Sequence, residues 1–351
     1  MTNETCNNRS RDDRAVSALR QPHRDVRGMP NEGTDRERTG SDAAGRAGGG
    51  RMLKENTLFG ERDKVAEAIQ RLRSFEPEDG YYVAFSGGKD SQCIYHLCEM
   101  AGVKFDAHYS VTSVDPPELV RFIKDHYQNV KREIPHDKDG KPITMWNLIP
   151  KKGMPPTRLV RYCCAELKES SGKGRVTVTG VRWAESANRK NNQGVVTIPD
   201  KRVKNEIQAN FLSTVKGGVV LNGDNDESRR LVEQCYRTRK TLVNPIIDWW
   251  NDDVWEFLNE VAKVPHCELY DQGYSRLGCI GCPMNANRKR ELEKYPKHKA
   301  AYLRAFDRMI KARIQNGLKT VWTTPDDVMS WWLKDTEPQN DGGLFEQEDA
   351  E

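Results

Sequence analysis

The feature of this sequence that most constrains its fold is a short loop with two glycines between a strand-like and a helix-like segment. Residues 81–85 form a short apolar and aromatic run, which predicts a strand. Residues 90–100 carry apolar side chains at helical spacing. Glycines let the backbone approach a ligand closely, and the free amides at a helix start favour an anion. We therefore predict a phosphate-binding loop composed of Ser86, Gly87, Gly88, Lys89, Asp90 and Ser91.

The order of the other predicted elements favours an α/β fold. Residues 105–111 and 175–180 read as further strands, and Pro116-Pro117 begins another helix between them. Strands that alternate with helices predict a mostly parallel, twisted sheet flanked by helices. After the sheet, a long basic stretch at 287–316 and a short one at 326–333 predict a helical C-terminal region.

Composition divides the chain into four predicted regions. Residues 1–57 contain few large apolar side chains and are predicted to be a disordered tail. A nucleotide-binding α/β domain is predicted over 58–270, followed by a cysteine loop and helices over 271–334. Residues 335–351 are acidic and polar, and we expect a flexible tail there.

Charge and hydropathy narrow the class of protein. The 56 basic and 52 acidic residues give a net charge of +4, which neither requires nor excludes a nucleic-acid partner. No apolar run approaches the ~20 residues that cross a bilayer, so we expect no membrane partner and a cytoplasmic location. Nine cysteines in 351 residues are too few for a disulfide scaffold and indicate metal ligation in a reducing compartment.

Four cysteines form two pairs that are candidates for metal ligation. Cys163 and Cys164 are adjacent, and Cys279 and Cys282 form a C-x-x-C with glycines around it. Four thiolates suit either tetrahedral zinc or a [4Fe-4S] cluster. Adjacent cysteines chelate a single tetrahedral ion awkwardly, whereas each thiolate of a cubane binds a different iron. The pattern therefore favours [4Fe-4S] and leaves zinc as the alternative.

Several motifs resemble one known family. Residues 83–91 look like the PP-loop of the adenine nucleotide α-hydrolase-like superfamily. The segment 180–189 is similar to the G-x-R-x-x-E-S-x-x-R element of the phosphoadenosine phosphosulfate reductase family, and 114–119 and 244–255 also resemble that family. The cysteine arrangement looks like the [4Fe-4S] set of assimilatory adenosine phosphosulfate reductases. The resemblance extends over about residues 58–310.

The resemblance implies that the chain is an enzyme that binds an adenine nucleotide, either ATP or adenylyl sulfate. The implied catalytic residues are Lys89, Asp90, Arg182 and Arg189. The implied nucleotide-binding residues are those of the 86–91 loop together with Asp115, Arg182, Glu185 and Ser186. If the nucleotide is ATP, Asp90 or Asp115 is a candidate ligand for Mg²⁺.

The sequence also departs from the reductases of this family. Their C-terminal E-C-G-[IL]-H segment carries a catalytic cysteine, and here no cysteine follows Cys282. Attack on sulfur needs a thiolate, which makes simple sulfite-forming reduction doubtful. An ATP-dependent sulfurtransferase, similar to the DNA phosphorothioation sulfurtransferases, is the other enzymatic reading. Its partners would include a sulfur acceptor or a reductant protein. The basic residues 288–299 are compatible with a nucleic acid as a further partner.

A reading of a different class also remains. The chain could have kept the nucleotide pocket and lost turnover, and would then be a regulatory or interaction protein, for instance of a DNA-modification system. The complete loop, both arginines and all four cysteines favour the enzyme.

Overall fold

The computed structural model describes the central part of the chain. Residues 1–52 of the predicted N-terminal tail (1–57) and the predicted C-terminal tail at 335–351 lie outside the described residues. The described residues are 53–58, 60–169, 171–172, 174–199, 212–213, 219–223, 225, 228–230, 232 and 240–334. All of them belong to one structural unit, Arg51–Glu351. None of the helices in these ranges is both long enough and apolar enough to span a bilayer.

A mixed eight-stranded sheet forms the centre of this unit, with the strand order β5-β4-β3-β6-β10-β7-β9-β8. Its strands are β3 (Tyr81–Ala84), β4 (Phe105–Ser110), β5 (Lys131–Glu133), β6 (Val176–Val178), β7 (Val196–Ile198), β8 (Leu212–Ser213), β9 (Val219–Leu221) and β10 (Thr241–Val243). Strands β5, β4, β3, β6 and β10 are parallel, as the alternating pattern predicts. Strands β7, β9 and β8 extend the sheet in antiparallel pairing. The predicted α/β class with a mostly parallel sheet is confirmed.

A small hairpin precedes the sheet. Strand β1 (Lys54–Thr57) pairs with β2 (Gly60–Asp63), so part of the predicted N-terminal tail is a strand. The residues of both strands are mostly polar and exposed, and they give no period-2 pattern from which a strand could be predicted. Asp63 caps the next helix, because its carboxylate accepts hydrogen bonds from the first backbone amides of that helix.

Helices cover the sheet and form the C-terminal region. Their bounds are α1 (Lys64–Ser74), α2 (Lys89–Ala101), α3 (Pro117–His126), α4 (Met145–Lys152), α5 (Tyr162–Leu167), α6 (Ala187–Asn192), α7 (Asn251–Glu256), α8 (Arg288–Lys294), α9 (Pro296–Gln315) and α10 (Pro325–Lys334). A 3₁₀ turn (Trp183–Glu185) precedes α6, and a π-helical turn (Phe257–Val261) continues α7.

The basic stretch predicted as one helix over 287–316 is two helices. Helix α8 ends at Lys294, and α9 begins at Pro296. Proline lacks the amide that would continue the hydrogen-bond ladder, and it disfavours helical backbone in the residue before it. Tyr295 accordingly has φ −115° and ψ 69°, outside the helical region.

Two apolar cores hold these elements together. One lies around the sheet and includes Leu97 of α2 and Trp249 after β10. The other joins α4 to the C-terminal helices and includes Leu148, Phe306 and Trp332. Residues 143–167 therefore pack with the C-terminal helices, although they precede β6 in the chain.

A buried ion pair ties α1 to α7. The Lys64 ammonium lies 3.0 and 2.9 Å from the two carboxylate oxygens of Asp253, and the side chains are 2% and 1% exposed. Asp253 also accepts a hydrogen bond from the Trp250 amide at the start of α7. Removal of one partner would leave the other charge buried with too few counter-charges.

We expect Asp253→Ala to lower the free energy of unfolding by about 3 kcal/mol, because it leaves the buried Lys64 ammonium with only the partly exposed Glu55 carboxylate as counter-charge. Urea unfolding followed by circular dichroism measures the loss. Asp252→Ala is the matched control, since Asp252 is an exposed carboxylate of the same helix turn. Equal unfolding midpoints for the two variants would contradict the structural role of this pair.

Candidate functional site

The phosphate loop, residues Ser86–Ser91, lies at the carboxyl end of β3. Gly87 has φ +71°, a conformation that L side chains rarely adopt. A Cβ atom at Gly87 would lie 2.7 Å from Ile123 Cγ1 and 2.8 Å from Leu119 Cδ1, both on α3. Helix α3 therefore fixes the path of the loop, and only glycine fits at this position.

Hydrogen bonds inside the loop hold it at the start of α2. The Ser86 amide donates to Ser91 Oγ at 3.1 Å, and the Ser91 hydroxyl donates to the Gly88 carbonyl at 2.8 Å. Both predicted serines therefore help to shape the loop. The loop enters α2 at Gly88, so the first amides of a 13-residue helix lie beside it.

Lys89 is buried, and both its backbone amide and its side-chain ammonium contact the segment that precedes the C-x-x-C. Its amide donates to the Tyr270 hydroxyl at 2.8 Å, and its ammonium donates to the Ser275 carbonyl at 3.0 Å. The ammonium also lies 5.7 Å from the centre of the Tyr270 ring. Burial lowers the pKa of Lys89, and the Asp90 carboxylate opposes that shift. The sequence patterns predicted Lys89 but missed Tyr270 and Ser275, because these contacts form only in the folded chain.

An ion pair joins the phosphate loop to the element after β6. Arg182 Nε donates to Asp90 Oδ1 at 2.7 Å, and the Arg182 side chain is 4% exposed. Arg182 Nη1 also lies 3.4 Å from the Trp249 carbonyl oxygen. Two predicted catalytic residues are thus brought together, with Asp90 as the counter-charge that permits Arg182 to be buried.

Arg189, Glu185 and Ser186 lie at the start of α6. Arg189 forms an ion pair with Glu185, and the Ser186 hydroxyl caps the helix by accepting from the Arg189 amide. Burial lowers the pKa of Arg189 and the positive charges of Arg276 and Arg182 add to that effect, so the pKa is about 10. Several cations therefore share this part of the site, and sequence reasoning missed Arg276.

Helix α5 carries the first cysteine pair. Arg161 precedes this helix, and its Nη2 atom lies 3.3 Å from Cys164 Sγ. The two thiols share a hydrogen bond, which raises the pKa of Cys163 and lowers that of Cys164. Arg161 also lowers the pKa of Cys164, because its positive charge stabilises the thiolate.

The C-x-x-C docks onto the loop that follows β4. The Ile280 amide donates to the Val114 carbonyl at 2.8 Å, and the Cys279 thiol lies 3.6 Å from Thr112 Oγ1. Gly281 has φ +72°, and a Cβ atom there would come within 3.1 Å of the Trp332 ring. Close packing of the second apolar core against Gly281 therefore fixes the conformation of this tight turn.

One cysteine of each predicted pair, Cys163 and Cys279, packs against the second apolar core. Negative charge on Cys164, Cys279 or Cys282 raises the pKa of Cys163, so the four thiols interact electrostatically. Across the described residues, no group of three or more His, Cys, Asp or Glu side chains has the spacing that would hold a single metal ion.

Asp115 lies with the cysteines. Its Oδ2 atom accepts from the Tyr109 hydroxyl at 2.6 Å and from the Thr112 amide at 3.1 Å. Lys168 is close to both Asp115 and Cys279, and their negative charges raise its pKa. Lys168 is a further cation that the motifs did not identify.

The segment before the C-x-x-C connects the phosphate loop to the second cysteine pair. The Lys89 ammonium contacts the Ser275 carbonyl, and Cys279 follows Ser275 by four positions. The phosphate loop follows β3 and the C-x-x-C docks on the loop after β4, so both lie at the carboxyl ends of parallel strands, where α/β proteins bind ligands.

Comparison with known protein families identifies the group to which this site belongs. The model of the phosphoadenosine phosphosulfate reductase domain matches residues 80–285, more than half of the 351 residues. The chain belongs to this family. The matched range contains the phosphate loop, the arginines and all four cysteines discussed above.

Individual relatives match over shorter stretches. An uncharacterized protein of Methanocaldococcus jannaschii is 26% identical over 224 residues, which cover 61% of this chain and 44% of that protein. An adenosine 5′-phosphosulfate reductase of Oceanobacillus iheyensis is 44% identical over 46 residues, 13% of this chain and 19% of that protein. A probable FAD synthase of Caenorhabditis briggsae is 53% identical over 36 residues, 10% of this chain and 7% of that protein. The matches thus span less than half the length of each relative.

Two solved structures are similar at low identity. The phosphoadenylyl-sulfate reductase of Candida auris is 16% identical with a TM-score of 0.36, and the match covers 62% of this chain and 89% of that chain. The FMN adenylyltransferase of Candida glabrata is 15% identical with a TM-score of 0.33, and covers 66% of this chain and 70% of that chain.

We expect Gly87→Ala to lower the free energy of unfolding by roughly 2–4 kcal/mol, because it adds steric overlap with α3 to the cost of positive φ. Gly102→Ala is the matched control: Gly102 has φ +68°, and nothing lies within 4 Å of its added Cβ. The Gly102→Ala variant should lose only about 1 kcal/mol of unfolding free energy. Urea unfolding of both variants measures the difference, and equal losses would show that α3 does not fix the loop.

Proposed function

We propose that this chain is an enzyme that binds an adenine nucleotide at the phosphate loop and uses it in sulfur chemistry beside the four cysteines. The observation that carries the proposal is the contact of the buried Lys89 ammonium with the Ser275 carbonyl, four positions before Cys279 of the C-x-x-C. A nucleotide held at the phosphate loop would therefore present its anionic end toward the thiols. The family match and the named adenosine 5′-phosphosulfate reductases support the same class of substrate.

The residues of the loop have distinct roles in nucleotide binding. The backbone around Gly87 and Gly88 would hydrogen-bond phosphate oxygens at the start of α2. Lys89 supplies a desolvated positive charge, and Arg182 is held in place by Asp90. Arg182 is the better candidate for bidentate contact with a phosphate, because its guanidinium is planar and rigidly supported.

The four cysteines fit a [4Fe-4S] cluster better than a zinc ion. Their number is right for either, but adjacent cysteines chelate a single tetrahedral ion awkwardly, whereas each cysteine of a cubane binds a different iron. Cys163, Cys164, Cys279 and Cys282 would be the ligands, and the cluster would supply electron transfer or a site that holds sulfur. Arg161 and Lys168 would balance the negative charge of the thiolates.

The residues fit a magnesium ion less well. Asp90 is paired with Arg182 and lies 3.7 Å from the Lys89 ammonium. Asp115 accepts two hydrogen bonds and interacts with Lys168. The neighbouring positive charges would repel a magnesium ion at either carboxylate, so Mg²⁺ has no assigned role in the reaction.

Among the sulfur reactions, we favour ATP-dependent activation of an acceptor followed by sulfur transfer. An acceptor oxygen would attack the α-phosphorus of ATP, forming an adenylate, while the bond to the bridging oxygen breaks and pyrophosphate leaves. A sulfide-level sulfur nucleophile from a donor would then attack the activated acceptor atom, and the bond from that atom to the adenylate oxygen would break to release AMP. Lys89 and the arginines would stabilise the negative charge that develops on the phosphates. The short match to FAD synthases, over 36 residues, also supports adenylyl transfer.

The second candidate is reduction of adenylyl sulfate to sulfite and AMP. The short matches to adenosine 5′-phosphosulfate reductases favour it. It would require a nucleophilic thiolate, for which Cys235 and Cys267 are the candidates. Cys235 lies outside the described residues. Cys267 is buried with a pKa raised by that burial, so its thiolate is disfavoured and this reaction is the weaker candidate.

We expect the protein to bind ATP and, with a competent acceptor, to release pyrophosphate from it. We expect no sulfite when the protein is given adenylyl sulfate instead. Lys89→Ala should weaken ATP binding about tenfold or more, because a charged contact to phosphate is lost. Calorimetry measures affinity, and parallel assays measure pyrophosphate and sulfite.

Lys104→Ala is the control for that experiment, because Lys104 is exposed on the loop before β4. Sulfite release would favour the reductase. Binding without either product would favour the regulatory reading. Unchanged affinity in Lys89→Ala would mean that the phosphate loop is not the nucleotide site.

Anaerobically purified protein should contain about four iron atoms per chain. Its absorbance spectrum should show a broad band at roughly 400 nm, as the spectra of iron–sulfur clusters do. Cys282→Ala should lose most of the iron, while Cys98→Ala should retain it, because Cys98 is a buried core residue of α2. Metal analysis and absorbance spectra measure both. One zinc per chain and no iron would contradict the cluster assignment.

A further inference from the structure

Tyr270 brings a hydroxyl group to the phosphate loop from a distant part of the chain. The hydroxyl oxygen accepts a hydrogen bond at 2.8 Å from the Lys89 amide, the first amide of α2. A tyrosine hydroxyl can accept and donate at the same time. Among the described residues, the Lys89 amide is the one hydrogen-bond partner of this hydroxyl, so its proton has no acceptor there. Burial raises the pKa of Tyr270, and the hydroxyl therefore keeps that proton at neutral pH.

The Tyr270 hydroxyl lies beside the glycine at which the loop enters α2. A Cβ atom at Gly88 would lie 3.5 Å from the Tyr270 hydroxyl oxygen and 3.6 Å from Ser86 Oγ. In the described part of the chain, and apart from the residues next to Gly88, no other heavy atom comes within 4 Å of that position. The space beside Gly88 is therefore open and is flanked by two hydroxyl groups.

Positive charge surrounds this open space. The Lys89 ammonium lies 5.7 Å from the centre of the Tyr270 ring, and the first amides of α2 carry the partial positive charge of a helix start. A negatively charged oxygen beside Gly88 would meet both this charge and a hydroxyl donor. An apolar group in the same place would leave the donor unpaired.

Packing holds the Tyr270 ring in position. The ring of Trp255, on α7, meets it edge-on, with ring centres 4.9 Å apart and an angle of 90° between the planes. The Tyr270 amide donates to the Cys267 carbonyl at 3.0 Å, which fixes the backbone of the same residue. A donor that is already ordered costs less conformational entropy when a ligand binds.

We propose that Tyr270 is a further nucleotide-binding residue, whose hydroxyl accepts from the Lys89 amide and donates to a phosphate oxygen beside Gly88. This inference rests on the proposed binding of an adenine nucleotide at the phosphate loop. The Lys89 amide strengthens the contact, because hydrogen bonds in a chain polarise one another. A phosphate oxygen is common to ATP and adenylyl sulfate, so both nucleotides should use Tyr270.

The test is calorimetry of the protein with ATP and with adenylyl sulfate. We expect Tyr270→Phe to weaken the binding of each nucleotide about tenfold, because a hydrogen bond to a charged acceptor is lost. Tyr274→Phe is the matched control from the same segment. The Tyr274 ring lies 4.7 Å from the Lys294 ammonium of α8, and removal of its hydroxyl should leave both affinities unchanged.

A second variant separates a contact with the nucleotide from support of the loop. The hydroxyl of 3-fluorotyrosine is a stronger donor and a weaker acceptor than that of tyrosine. Tyr270→3-fluorotyrosine should therefore bind both nucleotides at least as tightly as the wild-type protein, whereas a hydroxyl that serves only as acceptor for the Lys89 amide would give weaker binding.

Weaker binding by both variants would overturn the inference and leave the proposed function in place. Unchanged or tighter binding by Tyr270→Phe would do the same, because the hydroxyl would then be irrelevant to the phosphate or in competition with it. A wild-type protein that binds neither nucleotide would overturn the proposed function and this inference together.

Discussion

The burial of Lys89 against the residues before the C-x-x-C is the contact on which the geometry of the site depends. Lys89 is 4% exposed, so its ammonium needs a polar partner, and the Ser275 carbonyl supplies one. The Tyr270 hydroxyl accepts from the amide of the same residue. Only three residues lie between Ser275 and Cys279. One short segment therefore contacts the phosphate loop and carries the second cysteine pair.

The cysteine group lies where the two apolar cores meet. Val114 and Ile280 belong to the core of the C-terminal helices, yet their backbone hydrogen bond fixes the C-x-x-C to the loop after β4 of the sheet. The first cysteine pair reaches the same place from α5, which packs with the C-terminal helices through Tyr162 and Leu167. Buried contacts of the same core therefore support both cysteine pairs.

The sequence predicted the parts of this site that are local in the chain. The phosphate loop follows a strand and begins a helix as expected, because two glycines after an apolar run leave few other conformations. That the two cysteine pairs share one metal site stays a prediction. Pro296 could have predicted the break between α8 and α9. The hairpin at Lys54–Asp63 was not predictable, because its strands bury little and show no alternation.

The residues that sequence reasoning missed share one physical property: each acts through a contact with a residue distant in the chain. Tyr270 meets Lys89 across 181 positions, and Arg276 affects Arg189 only because the fold brings their elements together. Such contacts leave no periodicity or motif in a single sequence. They also explain why the site concentrates positive charge although the chain as a whole carries only +4. The fold, rather than the composition, gathers the arginines, and their mutual repulsion in a partly buried site favours an anionic ligand over an empty one.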